Sequence, residues 1–198
     1  MFRNARLALI FISLAAGAAL AGCSSDVQST KFPQITFAHL TPIQLDVTRV
    51  DIVRAETPVG GKHVEQEMPA KPEAALEQWA HDRLQPVGGN NIAHFIITQA
   101  STVEVELPRT PGVRGALTTE PAQRYDGAME VTLEIVDNKN QQLAAVATKV
   151  QRSHSVQEGV TLAQREAEWF AMVDNMMQDF NRAFEAQIRN NLTKWVMR

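Results

Sequence analysis

Alternating and helical spacing along this chain lays out its elements in order. From Pro42, the stretch PIQLDVTRVDIV places Ile43, Leu45 and Val47 on one face and then shifts parity to Val50 and Ile52. A two-residue period predicts a strand with one buried face, and the slip predicts a β-bulge near Thr48-Arg49. Residues 57–70, with Pro58, Gly60, Gly61 and Pro69, read as a loop. A helix is predicted over about 72–85 because Pro72 suits a first turn, while Ala75, Leu76, Trp79, Ala80 and Leu84 recur at helical spacing. Pro86, Gly88 and Gly89 stop it.

The next run puts Phe95, Ile97, Val103, Val105 and Leu107 on one parity and predicts a second long strand. Beyond residues 108–124, Tyr125, Met129, Val131, Leu133 and Ile135 all point one way, and Asp137-Asn138-Lys139-Asn140 supplies turn chemistry. The chain resumes as a strand from Gln141 to Val156, so 125–156 reads as a hairpin. Its segment from Leu143 to Ala147 is apolar on both faces but small on one, which suits a closely packed helix.

A last helix begins around Thr161, whose hydroxyl forms a capping-box pattern with Gln164. At about 100° per residue, Leu162, Trp169, Val173, Met176 and Phe180 form one stripe, and Phe184, Ile188, Leu192 and Trp195 lie roughly 80° round from it. A straight helix cannot aim both groups at one sheet. Either it bends between about 181 and 187, or its last turns offer Ile188, Leu192 and Trp195 to a partner protein or a membrane interface. The order strand, helix, strand, strand, strand, helix predicts an α+β fold: an antiparallel sheet of about four strands with two helices packed on one face and a long C-terminal helix.

Composition changes the picture mainly at the start of the chain. Arg3 and Arg6 precede an uncharged apolar run from Leu7 to Leu20. That run is shorter than the about 20 residues a membrane span needs, and basic, apolar and small-residue regions in this order describe a secretory signal peptide. The segment ends in Leu20-Ala21-Gly22-Cys23, and Cys23 is the only cysteine. This resembles the lipobox of bacterial lipoproteins. The resemblance implies a diacylglyceryl group on Cys23, cleavage before it, and acylation of the new amino terminus. Several acyl chains, at about 0.8 kcal/mol per buried CH₂, make a stable anchor. Ser24 after the cysteine implies sorting to the periplasmic face of the outer membrane.

Residues 1–22 are thus expected as signal peptide, 23–34 as lipidated cysteine and tether, and 35–198 as one α+β domain. Removing 22 of 198 residues leaves 176, and losing Arg3 and Arg6 moves the formal charge from -3 to -5. An acidic balance argues against a nucleic-acid partner. A single acylated cysteine leaves no intramolecular disulfide, so stability must come from packing.

Candidate chemistry is sparse. The five histidines, at 39, 63, 81, 94 and 154, show no i, i+4 metal spacing. Val59-Gly60-Gly61-Lys62 fails as a phosphate loop, since Glu56 stands at the first glycine position and His63 at the Ser/Thr position. No Gly-x-Ser-x-Gly elbow occurs. Glu104 and Glu106 alternate outward between Val103, Val105 and Leu107, and read as a solvated face. The stretch 108–124 is long for a loop and carries Arg109, Arg114 and Arg124. They are candidate contacts for anionic head groups or an acidic protein surface; disorder or cover for a sheet edge is the alternative. No cofactor, metal or catalytic set is assigned.

With the lipobox, PIQLDVTRVDIV, ALEQWAHDRL and RYDGAMEVTLEIVD together resemble, loosely, the auxiliary lipoproteins of ABC-type lipid-transport systems and the lipoprotein partner of the outer-membrane lipopolysaccharide translocon. That resemblance implies a non-catalytic accessory subunit, lipid-anchored in the bacterial envelope, that binds a transporter, an outer-membrane protein or lipid. The competing reading is an envelope hydrolase using Asp126, His154 or Glu158. A third is a structural component that binds nothing tightly.

Overall fold

The computed structural model describes residues 32–55, 60–108 and 121–197. Their elements run β1 (Ile43–Leu45), β2 (Arg49–Arg54), β3 (Lys62–His63), α1 (Pro72–Arg83), β4 (Leu84–Pro86), β5 (Ile92–Glu106), β6 (Pro121–Val136), β7 (Gln142–Gln157) and α2 (Leu162–Asn191). The α+β class and the long C-terminal helix are as predicted. The sheet is mixed rather than antiparallel: its order is β2-β5-β6-β7, and β2 runs parallel to β5 while β5, β6 and β7 alternate. The reason lies in the connection, because α1 carries the chain from β2 back to the same end before β5 begins, and a parallel neighbour requires such a crossover. β3 adds to β5 beyond the end of β2.

The parity slip near Thr48-Arg49 is a change of sheet and not a bulge. β1 pairs in parallel with β4, Ile43 opposite Leu84, in a separate two-stranded sheet, whereas β2 joins β5. Between them Val47 N donates to Leu45 O, and Thr48 N to Asn91 O. A real bulge occurs instead at Thr98, where the β5–β6 register shifts and Thr98 Oγ1 donates to Glu130 O at 3.1 Å.

Both helices cover one face of the large sheet. Trp79 of α1 lies 5.9 Å from Phe95 of β5, and Trp169 of α2 meets Tyr125 of β6 edge-on at 5.3 Å. Tyr125, Met129, Val131, Leu133 and Ile135 on that face are all fully buried. Where the helices meet, Trp79 also packs on Phe180 and Phe184, and its indole N–H donates to Asn181 Oδ1 at 2.9 Å. The close approach of α2 falls on Gly127, where a Cβ would stand 2.7 Å from Met176 Sδ. α2 also lies along β7 as expected, with Val146 buried and the small Ala144 half-buried on the helix side, while Ala145 and Ala147 are exposed on the opposite face.

α2 is unbroken over 30 residues and carries the predicted capping box. Its two apolar stripes bury against different neighbours. Trp169, Val173 and Met176 cover the sheet, Phe180 packs edge-on against Trp79 of α1, and Phe184 reaches both Trp79 and Phe95 of β5. Past the helix end the chain folds back along β1: Leu45 bridges Val196, Asp46 N donates to Trp195 O at 2.8 Å, and Met197 N to Gln44 O at 2.9 Å. Leu162, predicted in the first stripe, is 65% exposed because it starts the helix beyond the sheet's cover.

The hairpin turn is as read. Asp137 Oδ1 accepts from the backbone N–H groups of Lys139 and Gln141, and Asn140 takes the left-handed conformation at φ 60°. Packing begins at Phe32, which stacks on Phe170 at 5.1 Å, and Gln34 Nε2 donates to Gln78 Oε1. No helix among the described residues is long and apolar enough to cross a membrane.

Candidate functional site

The bulge at Thr98 inverts the second half of β5. Beyond it Ala100, Thr102 and Glu104 stand opposite Met129, Gly127 and Tyr125, and so face the helices. Glu104 is therefore buried under the first turns of α2 with a side chain only 4% exposed, and is not part of a solvated face. Glu106, two residues on, is exposed as predicted.

A polar network fills this end of the helix–sheet interface. Lys62 Nζ donates to Glu104 Oε1 at 2.6 Å, Gln123 Nε2 donates to the same oxygen at 3.1 Å, and Tyr125 Oη donates to Gln123 Oε1 at 3.0 Å. The Glu104 carboxylate holds the Lys62 ammonium above the ordinary lysine range through that hydrogen bond. Burial pushes the Tyr125 hydroxyl up, and the Glu104 charge adds to it, against the opposing influence of Arg165 and Trp169. Arg165 and Trp169 lie one turn apart on the same face of α2. The Trp169 indole faces Tyr125 and favours its ionised form, whereas Arg165 Nε and Thr102 Oγ1 are buried and have no hydrogen-bond partner. Among the described residues no carboxylate is within ion-pairing distance of Arg165. Elsewhere on α2, Arg182 pairs with Asp179 and Arg189 with Glu185.

Glu67 and Glu106 also act on Lys62, so this cluster carries more carboxylate than ammonium charge. It was hidden from pattern reading, since parity carried through Thr98 assigns Glu104 to the wrong face. The signal was the run Thr98-Gln99 before Ser101-Thr102, which puts polar residues at both parities in the middle of a single apolar alternation.

The sequence-predicted residues divide into three groups. Cys23, Ser24, Arg109 and Arg114 lie outside the described residues. Arg124 is on the open face of the sheet, locked to Asp126 by two bonds, Nε to Oδ1 at 2.9 Å and a terminal nitrogen to Oδ2 at 2.8 Å. That pairing raises Arg124 and holds the Asp126 carboxyl below its ordinary value, with Ser153 Oγ donating a further bond at 2.7 Å. Ile188, Leu192 and Trp195 form a third group and are corrected: they are 0%, 0% and 8% exposed and belong to the core. No docking face remains there, because α1 and the β1–β4 pair occupy it.

The hydrolase set is not assembled. Register places His154 opposite Tyr125 and Ser153 opposite Asp126, so His154 faces the helices and Asp126 the open side. His154 Nε2 meets Glu168 Oε2 of α2 at 2.9 Å. Glu158 is in the turn that follows β7.

No family model matches the chain, and no curated protein matches it. Among solved structures it is similar to the rare lipoprotein B from Shewanella oneidensis, with 10% identity over 70% of this chain and 92% of that one, at a TM-score of 0.37. It is also similar to a minor lipoprotein from Acinetobacter baumannii, with 14% identity over 72% of this chain and 93% of that one, at a TM-score of 0.34.

Proposed function

We propose that this chain is a bacterial envelope lipoprotein, acylated on Cys23 and held at the periplasmic face of the outer membrane, where it acts as a non-catalytic accessory subunit in lipid transport or outer-membrane assembly. The observation that carries the reading is Leu20-Ala21-Gly22-Cys23 at the end of a basic and apolar leader. In this reading the membrane partner is engaged through covalent lipid, and a transporter or outer-membrane protein is the protein partner. Ser24 serves as the sorting residue.

The start of the packed body supports a short leash. Eight residues, 24–31, separate Cys23 from Phe32, where stacking on Phe170 begins. Fully extended they reach about 28 Å, so the domain stays near the bilayer that holds the lipid. Arg109 and Arg114 remain the arginines proposed to meet anionic head groups or an acidic partner. Arg124 joins them only by exchanging Asp126 for the new anion.

Metabolic labelling with palmitate tests the anchor. Wild type is expected to take up label and fractionate with membranes, whereas Cys23→Ala does neither; label retained on Cys23→Ala, or absent from wild type, overturns it. Purification from detergent-solubilised envelopes tests the accessory role. A permease or barrel protein recovered with wild type at fixed ratio is expected, and recovery of the lipoprotein alone under mild cross-linking argues against that role.

A further inference from the structure

We propose that the outer edge of β7 pairs with the same edge of a second copy of this chain, in antiparallel register about a two-fold axis at Thr148. The pairing stands on residues of the sheet and does not depend on acylation of Cys23.

Among the described residues β6 is the only strand beside β7, and no backbone hydrogen bond from outside that pair reaches residues 143–156. A free edge of this length is a template for another strand unless proline, a bulge or outward charge guards it. β7 has no proline and keeps its register without a bulge from Ala144 to Val156. Its two permanent cations turn back onto their own chain, Lys149 to Glu130 of β6 at 3.2 Å and Arg152 to Asp179 of α2 at 2.7 Å. The helix does not guard the middle of the edge either. α2 meets β7 where Glu168 pairs with His154, but by Phe184 it has crossed to Phe95 of β5, in the row that ends on β7 at Val146. Phe95 is two strands in, about 10 Å from the edge.

The strand's own sequence selects a second copy as the occupant. In a two-fold antiparallel pair, directly opposed residues share a face and stand equally far from the axis on either side. With Thr148 on the axis, Lys149 stands opposite Ala147, Gln151 opposite Ala145 and Arg152 opposite Ala144, so the small half of β7 receives the large half and no two cations meet. An axis at Lys149 or Arg152 would set that cation against its own copy. Thr148 adds an independent observation, because it is 8% exposed and its hydroxyl has no hydrogen-bond partner among the described residues. Opposed residues have Cβ atoms about 5 Å apart, within reach of a Thr–Thr hydrogen bond, so the second copy supplies the missing partner.

Sedimentation of the full chain in neutral detergent, as a function of concentration, reads the pairing. Wild type is expected to pass from monomer to dimer. Ala147→Lys sets a second ammonium opposite Lys149 on both sides of the axis and is expected to weaken dimerisation about tenfold, whereas Ala147→Glu, which offers Lys149 a carboxylate, retains or tightens it. Ala147 is exposed, so both variants are expected to keep the folded monomer intact by circular dichroism. Register is read by cross-linking in a Cys23→Ser background. Thr148→Cys is expected to form an intermolecular disulfide under mild oxidation, since directly opposed residues have the Cα separation a disulfide needs, and Gln151→Cys, about 20 Å from its own copy, is not. A monomer at every concentration, equal dimerisation of Ala147→Lys and Ala147→Glu, or cross-linking at Gln151→Cys as readily as at Thr148→Cys overturns the proposal.

Discussion

Replacing Leu192 and Leu162 by alanine, each singly, separates burial from pattern on one element. The two leucines sit at opposite ends of α2, and helical spacing alone assigns both to apolar stripes. Leu192 is 0% exposed and Leu162 is 65% exposed. Truncating a buried leucine costs roughly 2–5 kcal/mol, through lost transfer energy and the cavity left behind. At Leu192 the surroundings are rigid, with Leu192 N bonded to Ile188 O and Trp195 N to Leu192 O, so collapse is limited and about 3 kcal/mol is expected. For a domain of this size each 1 kcal/mol lowers Tm by about 2–4 °C, so Leu192→Ala should melt about 6–12 °C lower. Leu162→Ala should change stability by less than about 0.5 kcal/mol, since it loses little burial and gains helix propensity. Urea and thermal unfolding followed by circular dichroism read both. Equal effects, or a Leu192→Ala variant as stable as wild type, would refute the assignment of the C-terminal turns to the core and reopen them as a docking face.

Further outcomes follow from single contacts. Gly127→Val should destabilise by about 1–3 kcal/mol by overpacking, because its Cβ position lies 2.7 Å from Met176 Sδ; Met176→Ala in the same chain should relieve part of that loss in a double-mutant cycle. Asp82 gives a pH dependence. Burial pushes its carboxyl up, but bonds from Thr36 Oγ1, Phe37 N and Gln78 Nε2 outweigh burial, and the net shift is downward. Its contribution is therefore present above the unfolded value near 3.8 and lost as pH falls through the lower folded value. Asp82→Asn should lower stability at pH 7 and flatten the fall in stability below about pH 4, as measured by urea midpoints. Glu104→Gln should lower the Lys62 titration toward its ordinary value in side-chain NMR, and an unchanged Lys62 would show that the short bond to Glu104 is not formed.

Legibility tracked the range of the interaction. Local signals were readable: Pro72 opens α1, Thr161 and Gln164 close the capping box, and Asp137 to Asn140 turn the hairpin, since each acts through its own backbone neighbours. Parity on β6 was equally legible because the extra residue of the β5–β6 pair sits on β5, so β6 itself alternates without interruption from Tyr125 to Ile135. The site was not, since its identity depends on one extra residue at Thr98 that turns Glu104 inward.

The amino-acid sequence by itself determined the positions of both helices and the hairpin, and it alone carries the proposed leader ending in Cys23, for periodicity and capping are properties of a few consecutive residues. Only the tertiary structure decided that β2 runs parallel to β5, that β1 leaves the main sheet for β4, and that Leu192 and Trp195 fold under β1. Each of those outcomes is settled by which distant segment supplies the missing hydrogen bonds and apolar cover, and a one-residue slip in a period of two exchanges buried for exposed without altering the composition at all.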